Sequence, residues 1–335
     1  MSSRPRSSPG CWLRGIAWLL TAALVVAASA LGVLDVWPRL QLRSRWLTVA
    51  ASFIGLVPVL LGAACLLLLV ALRGRWRLLA AALALALIVL VVVRTSRPAG
   101  AGSAPANLVV LALNTYYGWA DPKALAAEAA ATGADVVVLP EVTTRTLAGL
   151  GRTDWDTRFP HRVGTPAGDW NDSGLMVFSR FPLTLTAASP RRGIGLRVDV
   201  ARPQGPLTLI GVHFANPQDD WPEWTADFTW LRDAVAGTSA APVIVAGDFN
   251  AVPQHEQFRA LLQRAGLSDA AEDLGEAWSP TFPSWRSYPP PASWEIPVLP
   301  LDHVLTGPGV SPAALSTFRV DGTDHRGLVA RLHVG

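Results

Sequence analysis

Cysteine is almost missing from this chain, and its two examples, Cys11 and Cys65, both lie in the apolar N-terminal third. The other two thirds can therefore form no disulfide and hold no thiol for nucleophilic catalysis or metal binding. For that part of the chain a thiol enzyme, a disulfide scaffold and a cysteine-rich zinc site are excluded.

Charge is also scarce, at 16% of 335 residues, whereas hydrophobic residues make up 50%. The shortage is concentrated in three apolar stretches near the N-terminus, each with few or no charges. Because about 20 apolar residues cross a bilayer, we predict three transmembrane helices within residues 1–94. Their approximate bounds are 15–34, 46–72 and 76–93. Tryptophans at the ends of these stretches suit the headgroup region, namely Trp12, Trp37, Trp46 and Trp76.

Acidic residues are nearly absent from residues 1–97, which hold eleven of the 28 basic residues and one of the 25 acids. The remainder has 17 basic and 24 acidic residues, a net charge of −7. Proteins that bind nucleic acid are usually basic, so this negative net charge makes nucleic acid an unfavoured partner. If the N-terminus is inside, the three predicted spans leave six arginines in the inner segments and five in the outer segments, a small bias in favour of this orientation. The C-terminal part is then extracytoplasmic. Signal cleavage within residues 27–30 is an alternative that leaves that part on the same face.

Residues 95–106 are rich in Gly, Ala, Ser and Pro, which is typical of a linker. From residue 107 to 335, short apolar runs alternate with amphipathic stretches, which predicts one α+β sandwich domain. Strands are predicted at 108–113, 135–139, 173–179, 194–200, 207–213, 243–246, 298–305 and 327–333. Helices are predicted at 122–132, 222–236 and 254–265.

Polar residues recur where these predicted strands end or begin. They are Asn114, Glu141, His213, Asp248, Asn250, Asp302, Asp324 and His325. Strands give functional side chains a rigid base, and strand ends give them access to solvent. Any one of these residues alone is equally typical of a turn or a helix cap, so only the whole set indicates a functional site.

Three segments are more specific: GDFN at 247–250, TDHRGLV at 323–329 and SGLMVFSRFPL at 173–183. Together with the order of the polar residues, they resemble the endonuclease/exonuclease/phosphatase superfamily, which includes DNase I-like nucleases, inositol-polyphosphate phosphatases and neutral sphingomyelinases. The resemblance covers residues 107–335. It implies a four-layer αββα sandwich, here preceded by an all-α transmembrane region, and metal-dependent hydrolysis of a phosphoric ester or anhydride.

The resemblance also implies a metal site at Glu141, with Asn114 and Asp324 near the same ion. Hard carboxylate and amide oxygens without cysteine favour Mg²⁺, with Mn²⁺ as the alternative. The family usually has Gln where Pro140 stands, and proline donates no hydrogen bond, so the local geometry is expected to differ.

Catalytic roles follow from the same resemblance. Asp248 is similar to the residue that orients or deprotonates the attacking water, and Asn250 to the amide that binds phosphoryl oxygens. His325 matches the histidine that faces the scissile phosphate, and Asp302 the carboxylate that orients it. His213 resembles a second active-site histidine. Whether His325 is a base or an electrostatic stabiliser is left open.

Two further predictions concern Arg180 and His303. Arg180, in the Ser-Arg-x-Pro segment, resembles a phosphate contact. His303 is a rival imidazole beside Asp302, but strand alternation points neighbours to opposite faces, so only one of them can serve the centre directly.

Tryptophans are frequent in the segments that follow His213 and precede Asp302: Trp221, Trp224, Trp230, Trp285 and Trp294. They suggest contact with acyl or isoprenyl chains or with the membrane interface. The alternative is that they cover the sandwich, which we prefer for Trp230.

The whole-chain layout resembles membrane-anchored bacterial members of the superfamily, including VanJ-type teicoplanin-resistance proteins. This implies hydrolysis of a lipid-linked phosphate or pyrophosphate at the outer membrane face, for example a polyprenyl pyrophosphate of cell-wall synthesis, and a contribution to glycopeptide resistance. Two alternatives stay open: an extracytoplasmic nuclease, and a non-catalytic binder of an antibiotic or cell-wall precursor.

Overall fold

A computed structural model describes residues 9–95, 104–168, 174–191, 193–238, 242–276, 279–286, 293–294 and 296–335. The chain divides into two compact units, of which the first comprises Met1–Arg97 with the short segment Gln254–Glu256 and the second the remainder. The predicted linker, 95–106, falls mostly outside the described residues.

The first unit is helical. Its helices are α1 (Pro9–Val36), α2 (Arg45–Ala51), α3 (Val57–Ala71) and α4 (Arg75–Thr95). Two segments, Trp12–Val36 and Arg45–Ala71, are long and apolar enough to cross a membrane. Helix α4 occupies the position of the third predicted span.

Large apolar side chains face outward along these helices, as at Leu19 (73% exposed), Val26 (68%) and Leu78 (75%). Apolar surface of this extent is unfavourable in water and favours a lipid environment.

The second predicted span is not one regular helix. Helix α2 ends at Ala51, a 3-10 turn covers Ile54–Leu56, and α3 begins at Val57. Pro58 lies in the first turn of α3, where its missing N–H costs no helical hydrogen bond. The break therefore follows from the proline, and the apolar stretch remains long enough to span a membrane.

The second unit contains two six-stranded sheets. The first sheet has the order β13-β14-β1-β2-β4-β3. Its strands are β1 (Leu108–Ala112), β2 (Val136–Pro140), β3 (His161–Thr165), β4 (Leu175–Ser179), β13 (Val310–Phe318) and β14 (Gly327–Val334). The second sheet has the order β5-β6-β7-β8-β12-β9. Its strands are β5 (Leu183–Ala188), β6 (Gly195–Arg202), β7 (Gly205–His213), β8 (Val243–Asp248), β9 (Ser268–Asp269) and β12 (Asp302–Thr306).

Helices cover the outer faces of both sheets. Helices α5 (Pro122–Thr132), α6 (Thr144–Leu150) and α7 (Trp155–Arg158) share an apolar core with the first sheet. Helices α8 (Trp221–Ala236) and α9 (Glu256–Ala265) share another with the second sheet. A short helix, α10 (Ala270–Asp273), and a hairpin of β10 (Trp285–Arg286) and β11 (Ser293–Trp294) complete the described elements of the second unit.

A third apolar core lies between the two sheets and contains side chains such as Val110, Val138, Leu209 and Ile244, all fully buried. Because alternate residues of a strand point to opposite faces, each central strand contributes to this core and to a helix-covered core. The resulting order of layers is helix, sheet, sheet, helix, and the predicted αββα sandwich is confirmed.

Candidate active site

Strand register places three candidate residues in one row of the second sheet. Strands β7 and β8 are parallel with His213 opposite Asp248, and β8 and β12 are antiparallel with Asp302 opposite Asp248. These three residues therefore lie at the same end of neighbouring strands, although they come from distant parts of the sequence.

The first sheet brings its candidate residues to the same end of the sandwich. The amide of Asn114 donates to Glu141 Oε1 at 3.0 Å and to Asp248 Oδ2 at 2.9 Å, which joins the two sheets. Thr323 Oγ1 donates to the carbonyl of Asn114 at 2.7 Å and accepts from His325 N at 3.1 Å. This buried threonine was not among the residues predicted for the site, although it opens the TDHRGLV segment.

His325 lies between two buried carboxylates. Its Nδ1 is 2.7 Å from Asp302 Oδ2, and its Nε2 is 3.8 Å from Asp248 Oδ2. Burial alone lowers the pKa of His325, but the charges of Asp302 and Asp248 outweigh it and raise the pKa to about 10. At neutral pH the ring is therefore an imidazolium with an N–H at both nitrogens: Nδ1 donates to Asp302, and Nε2 faces Asp248 beyond hydrogen-bond distance.

Glu141 is ionised in the same pocket. Its Oε2 accepts from Tyr117 N at 2.8 Å, and its Oε1 lies 3.4 Å from His213 Nε2. Burial raises the pKa of Glu141, but the hydrogen bond and charge of His213 outweigh burial and lower it to about 2. Burial lowers the pKa of His213, but its hydrogen bond with Glu141 and the charge of Glu141 outweigh burial and raise that pKa.

Asp324 is a further buried carboxylate of the site. Its Oδ1 is buried without a hydrogen-bond partner among the described residues. Burial raises the pKa of Asp324 to about 6, the charge of Glu141 adds to this, and His325 opposes it. An unpaired buried oxygen that interacts with the charge of Glu141 is a suitable ligand for a hard divalent cation.

Asp248, Asp302 and His325 also converge, with potential ligand atoms within 4.8 Å of one another. In this second set His325 Nδ1 is bonded to Asp302 Oδ2, and a doubly protonated ring has no lone pair for a metal. The oxygen set around Glu141 and Asp324 therefore fits a metal better.

The GDFN turn is held in a rare conformation. Gly247 has φ 140° and a Cβ there would overlap the carbonyl of Val212, so glycine is required. Asn250 has φ 45°, its N–H donates to Asp248 Oδ1 at 2.8 Å, and its side-chain amide donates to the carbonyl of Phe214 at 2.9 Å. A left-handed conformation at a residue other than glycine costs about 1–2 kcal/mol, and the turn's hydrogen bonds offset this.

His303 does not belong to the site. Its Nδ1 lies 2.7 Å from Asp269 Oδ2 and its Nε2 lies 2.9 Å from the carbonyl of Ala251, on the opposite face of β12 from Asp302. Both nitrogens face acceptors, and Asp269 raises the pKa of His303 against the effect of burial. The pair is therefore a buried ion pair that anchors the end of the GDFN turn.

We expect Asp269→Ala to lower the free energy of unfolding by about 3–5 kcal/mol, because the imidazolium of His303 loses its buried partner. The substitution also removes the Oδ1 acceptor of Ala271 N at the start of α10. Thermal unfolding of the full-length protein in detergent measures the loss. A His303→Leu/Asp269→Leu variant leaves no buried charge and should lose less, whereas an unchanged melting temperature for Asp269→Ala would contradict the ion pair.

Arg180 lies away from the other candidates, so the predicted phosphate contact is corrected. Its guanidinium pairs with Asp135 Oδ1 at 3.0 Å. Asp135 precedes β2 and Glu141 follows it, so Arg180 lies at the opposite end of that strand from the site. The Ser-Arg-x-Pro segment joins β4 to β5 at this far end, where an ion pair stabilises the connection.

The tryptophans are mostly structural where they are described. Trp224 is fully buried and donates its indole N–H to the carbonyl of Phe249, so it supports the GDFN turn and contacts no lipid. Trp221 and Trp230 are half-buried against the core of the second sheet, as we expected for Trp230. Trp285 and Trp294 are paired in register between β10 and β11, and their side chains lie outside the described part.

The model of the Endonuclease/Exonuclease/phosphatase family matches residues 111–325, more than half of the chain. No curated protein sequence matches this chain. The D. rerio TDP2 structure with single-strand DNA product is 17% identical, has a TM-score of 0.51, and the match covers 68% of this chain and 99% of that chain. A Bacteroides thetaiotaomicron protein of the same family is 14% identical, with a TM-score of 0.51 and coverage of 68% and 98%.

A mannosyl-6-phosphatase from Bacteroides thetaiotaomicron is also similar, at 14% identity, a TM-score of 0.50 and coverage of 68% and 99%. At these identities the likeness shows the fold. The family model and the fold agree on the same part of the chain, which contains the gathered acids, amides and imidazoles. The chain therefore belongs to the endonuclease/exonuclease/phosphatase family, a family of metal-dependent phosphoester hydrolases.

Proposed function

We propose that this protein is a membrane-anchored phosphohydrolase that acts at the outer membrane face on a lipid-linked phosphate or pyrophosphate, such as a polyprenyl pyrophosphate. The observation that supports this most is that one chain carries a phosphohydrolase site and two helices that are able to span a bilayer. A catalytic domain joined to the membrane works at high effective concentration on substrates that are confined to it.

A divalent ion, which we propose to be Mg²⁺, would be held by Glu141 and Asp324 with Asn114 beside them, and would neutralise charge that develops on the phosphoryl group. Glu141 is ionised, and Asp324 becomes ionised once a cation compensates its buried charge. The residues present therefore fit an oxygen-liganded ion.

Asp248 is placed to orient or deprotonate the attacking water. Burial and the charge of Asp302 raise its pKa, which makes it a better proton acceptor than an exposed aspartate. Hydrogen bonds from Asn114 and from the N–H of Asn250 hold both of its oxygens in place. The second hydrogen of the Asn250 amide is available in this arrangement for a phosphoryl oxygen.

His325 acts as a cation in this proposal. Asp302 fixes the ring through Nδ1 and keeps it protonated, so its Nε2–H points toward Asp248 and the phosphate-binding space. A preorganised positive charge beside the phosphoryl group stabilises the transition state more than the ground state. Burial lowers the pKa of His213, but Glu141 outweighs it and raises that pKa, which favours a second positive charge at the same end of the sheets.

The charge of residues 98–335 favours this proposal over a nuclease. Residues 98–335 carry a net charge of −7, which repels a polyanion such as DNA. The TDP2 structure contains DNA, but at 17% identity it supports the shared fold alone.

A substrate panel tests the proposal with full-length protein in lipid nanodiscs and Mg²⁺. We expect kcat/KM for phosphate release from polyprenyl pyrophosphate to exceed, by about tenfold or more, kcat/KM for phosphate release from inositol phosphates, phosphocholine release from sphingomyelin and nucleotide release from single-stranded DNA. Strong cleavage of DNA without activity on any lipid phosphate would instead establish the nuclease. EDTA should abolish activity on the preferred substrate.

A further inference from the structure

The loop that follows Asn114 has a backbone that its side chains do not favour. Tyr116 and Tyr117 are consecutive and have φ values of 47° and 49°. Among the described residues, the other two non-glycine residues with positive φ are Glu141 and Asn250, both at the site. Strained backbone of this kind persists where the surroundings over-determine it, and it is concentrated at functional sites.

Residues of the candidate site hold this loop, residues 116–119, which we call the aromatic loop. Tyr116 N donates to Asn114 Oδ1 at 2.9 Å, and Tyr117 N donates to Glu141 Oε2 at 2.8 Å. Gly118 has φ 74°, and a Cβ there would overlap Thr143 Oγ1. The loop is therefore fixed at the edge of the catalytic pocket and cannot fold its rings into the core.

The aromatic loop exposes its rings to solvent. Tyr117 is 49% exposed and Trp119 is 43% exposed, whereas the other large apolar residues exposed in the described part of the second unit are Leu185 and Ile296. The rings of Tyr116 and Tyr117 lie 5.5 Å apart, and the guanidinium of Arg145 lies 4.7 Å above the indole of Trp119. Rigid, exposed aromatic surface next to a catalytic centre is typical of a ligand subsite.

The position of this surface indicates which ligand it suits. Because Tyr117 N is bonded to Glu141, the exposed ring lies beside the proposed cation site. An apolar chain attached to one phosphate or pyrophosphate group can lie on the rings while that group reaches the cation.

We propose that the aromatic loop binds the hydrocarbon chain of a lipid-linked phosphate, in the segment next to the phosphate that the catalytic centre cleaves. This inference rests on the proposed function and specifies which residues select the substrate. Tyr117 and Trp119 provide the apolar contact, and the bonds from their loop to Asn114 and Glu141 set the distance between chain and phosphate.

The test compares two substrates with the same pyrophosphate group, a long polyprenyl pyrophosphate and the five-carbon dimethylallyl pyrophosphate, using full-length protein in nanodiscs with Mg²⁺. The measured quantity is chain preference, the ratio of the two kcat/KM values. We expect Tyr117→Ala/Trp119→Ala to reduce chain preference by about tenfold or more, mainly through KM for the long substrate. A Tyr117→Leu/Trp119→Leu variant restores apolar area and should retain most of the preference.

Leu185→Ala is the matched control, because it removes an exposed apolar side chain from β5 and should leave chain preference unchanged. If the wild type prefers the long substrate and both double variants keep that preference, the aromatic loop is not the chain subsite, although the proposed function stands. If the wild type hydrolyses neither pyrophosphate, the proposed function fails and this inference fails with it. Loss of DNA cleavage in place of chain preference would show that the loop stacks on bases.

Discussion

Asp248→Asn is expected to reduce phosphate release from the preferred substrate by at least about 10³-fold, with the fold retained. Asparagine has the same shape but cannot accept a proton from the attacking water. The substitution also replaces one carboxylate oxygen with an NH₂ group. This group faces a donor, either the amide of Asn114 or the N–H of Asn250, so a hydrogen bond that orients the side chain is lost. The measurement is kcat of purified protein with saturating Mg²⁺, together with the melting temperature.

Asp233→Asn is the matched control, since Asp233 is an exposed acid on α8 that pairs only with its neighbour Arg232 in the described structure. It should keep full activity. An Asp248→Asn protein that retains more than about a tenth of the wild-type rate would exclude Asp248 from the role proposed here.

The same variant tests the proposed contribution to glycopeptide resistance. If hydrolysis causes resistance, cells that express Asp248→Asn at wild-type level should be as susceptible to teicoplanin as cells without the protein. Resistance that survives the substitution would favour a non-catalytic binder as its cause.

Asp302→Asn is expected to lower kcat by about 10²-fold near pH 8 and to move the alkaline limb of the pH profile to lower pH by about one unit or more. In the wild type, Asp302 and Asp248 hold the pKa of His325 near 10, so the imidazolium persists through neutral pH. Removal of one carboxylate lowers that pKa, and the active protonated form is then lost at a lower pH. A bound cation also lowers this pKa, so both proteins are compared at saturating Mg²⁺.

His325→Gln provides the second half of the experiment. If Asp302 acts through His325, the double variant should be little slower than His325→Gln alone, because the carboxylate has no imidazole left to orient. Additive losses, or an alkaline limb that does not move in Asp302→Asn, would show that His325 is not the catalytic cation.

The central strands and the ends of those strands were predictable because burial on both faces produces continuous apolar runs. The runs at 108–113, 135–139 and 243–246 correspond to β1, β2 and β8, and a polar residue follows each of them. Strands β3, β5 and β13 were missed because they lie at or near sheet edges, where polar and apolar residues mix and the apolar signal is weak.

Two residue assignments needed the tertiary structure. Arg180 follows an apolar strand just as the true site residues do, but β4 runs antiparallel to β2, so its end lies far from Glu141. The sequence could not show whether the side chain of Trp224 is exposed or buried. The amphipathic pattern of α8 does not reveal that this ring packs under the GDFN turn and bonds to Phe249.

By itself the sequence determined the apolar N-terminal region, the α+β sandwich class, and the acids, amides and imidazoles available for catalysis. These depend on composition and on the spacing of apolar residues, which are local properties. Only the tertiary structure decided which of these side chains meet, that Asp302 and Asp248 flank His325, that His303 pairs with Asp269 instead, and that two strained tyrosines lie beside Glu141. Those outcomes depend on strand direction and register between segments up to two hundred residues apart, and such long-range pairing leaves no local signal in the chain.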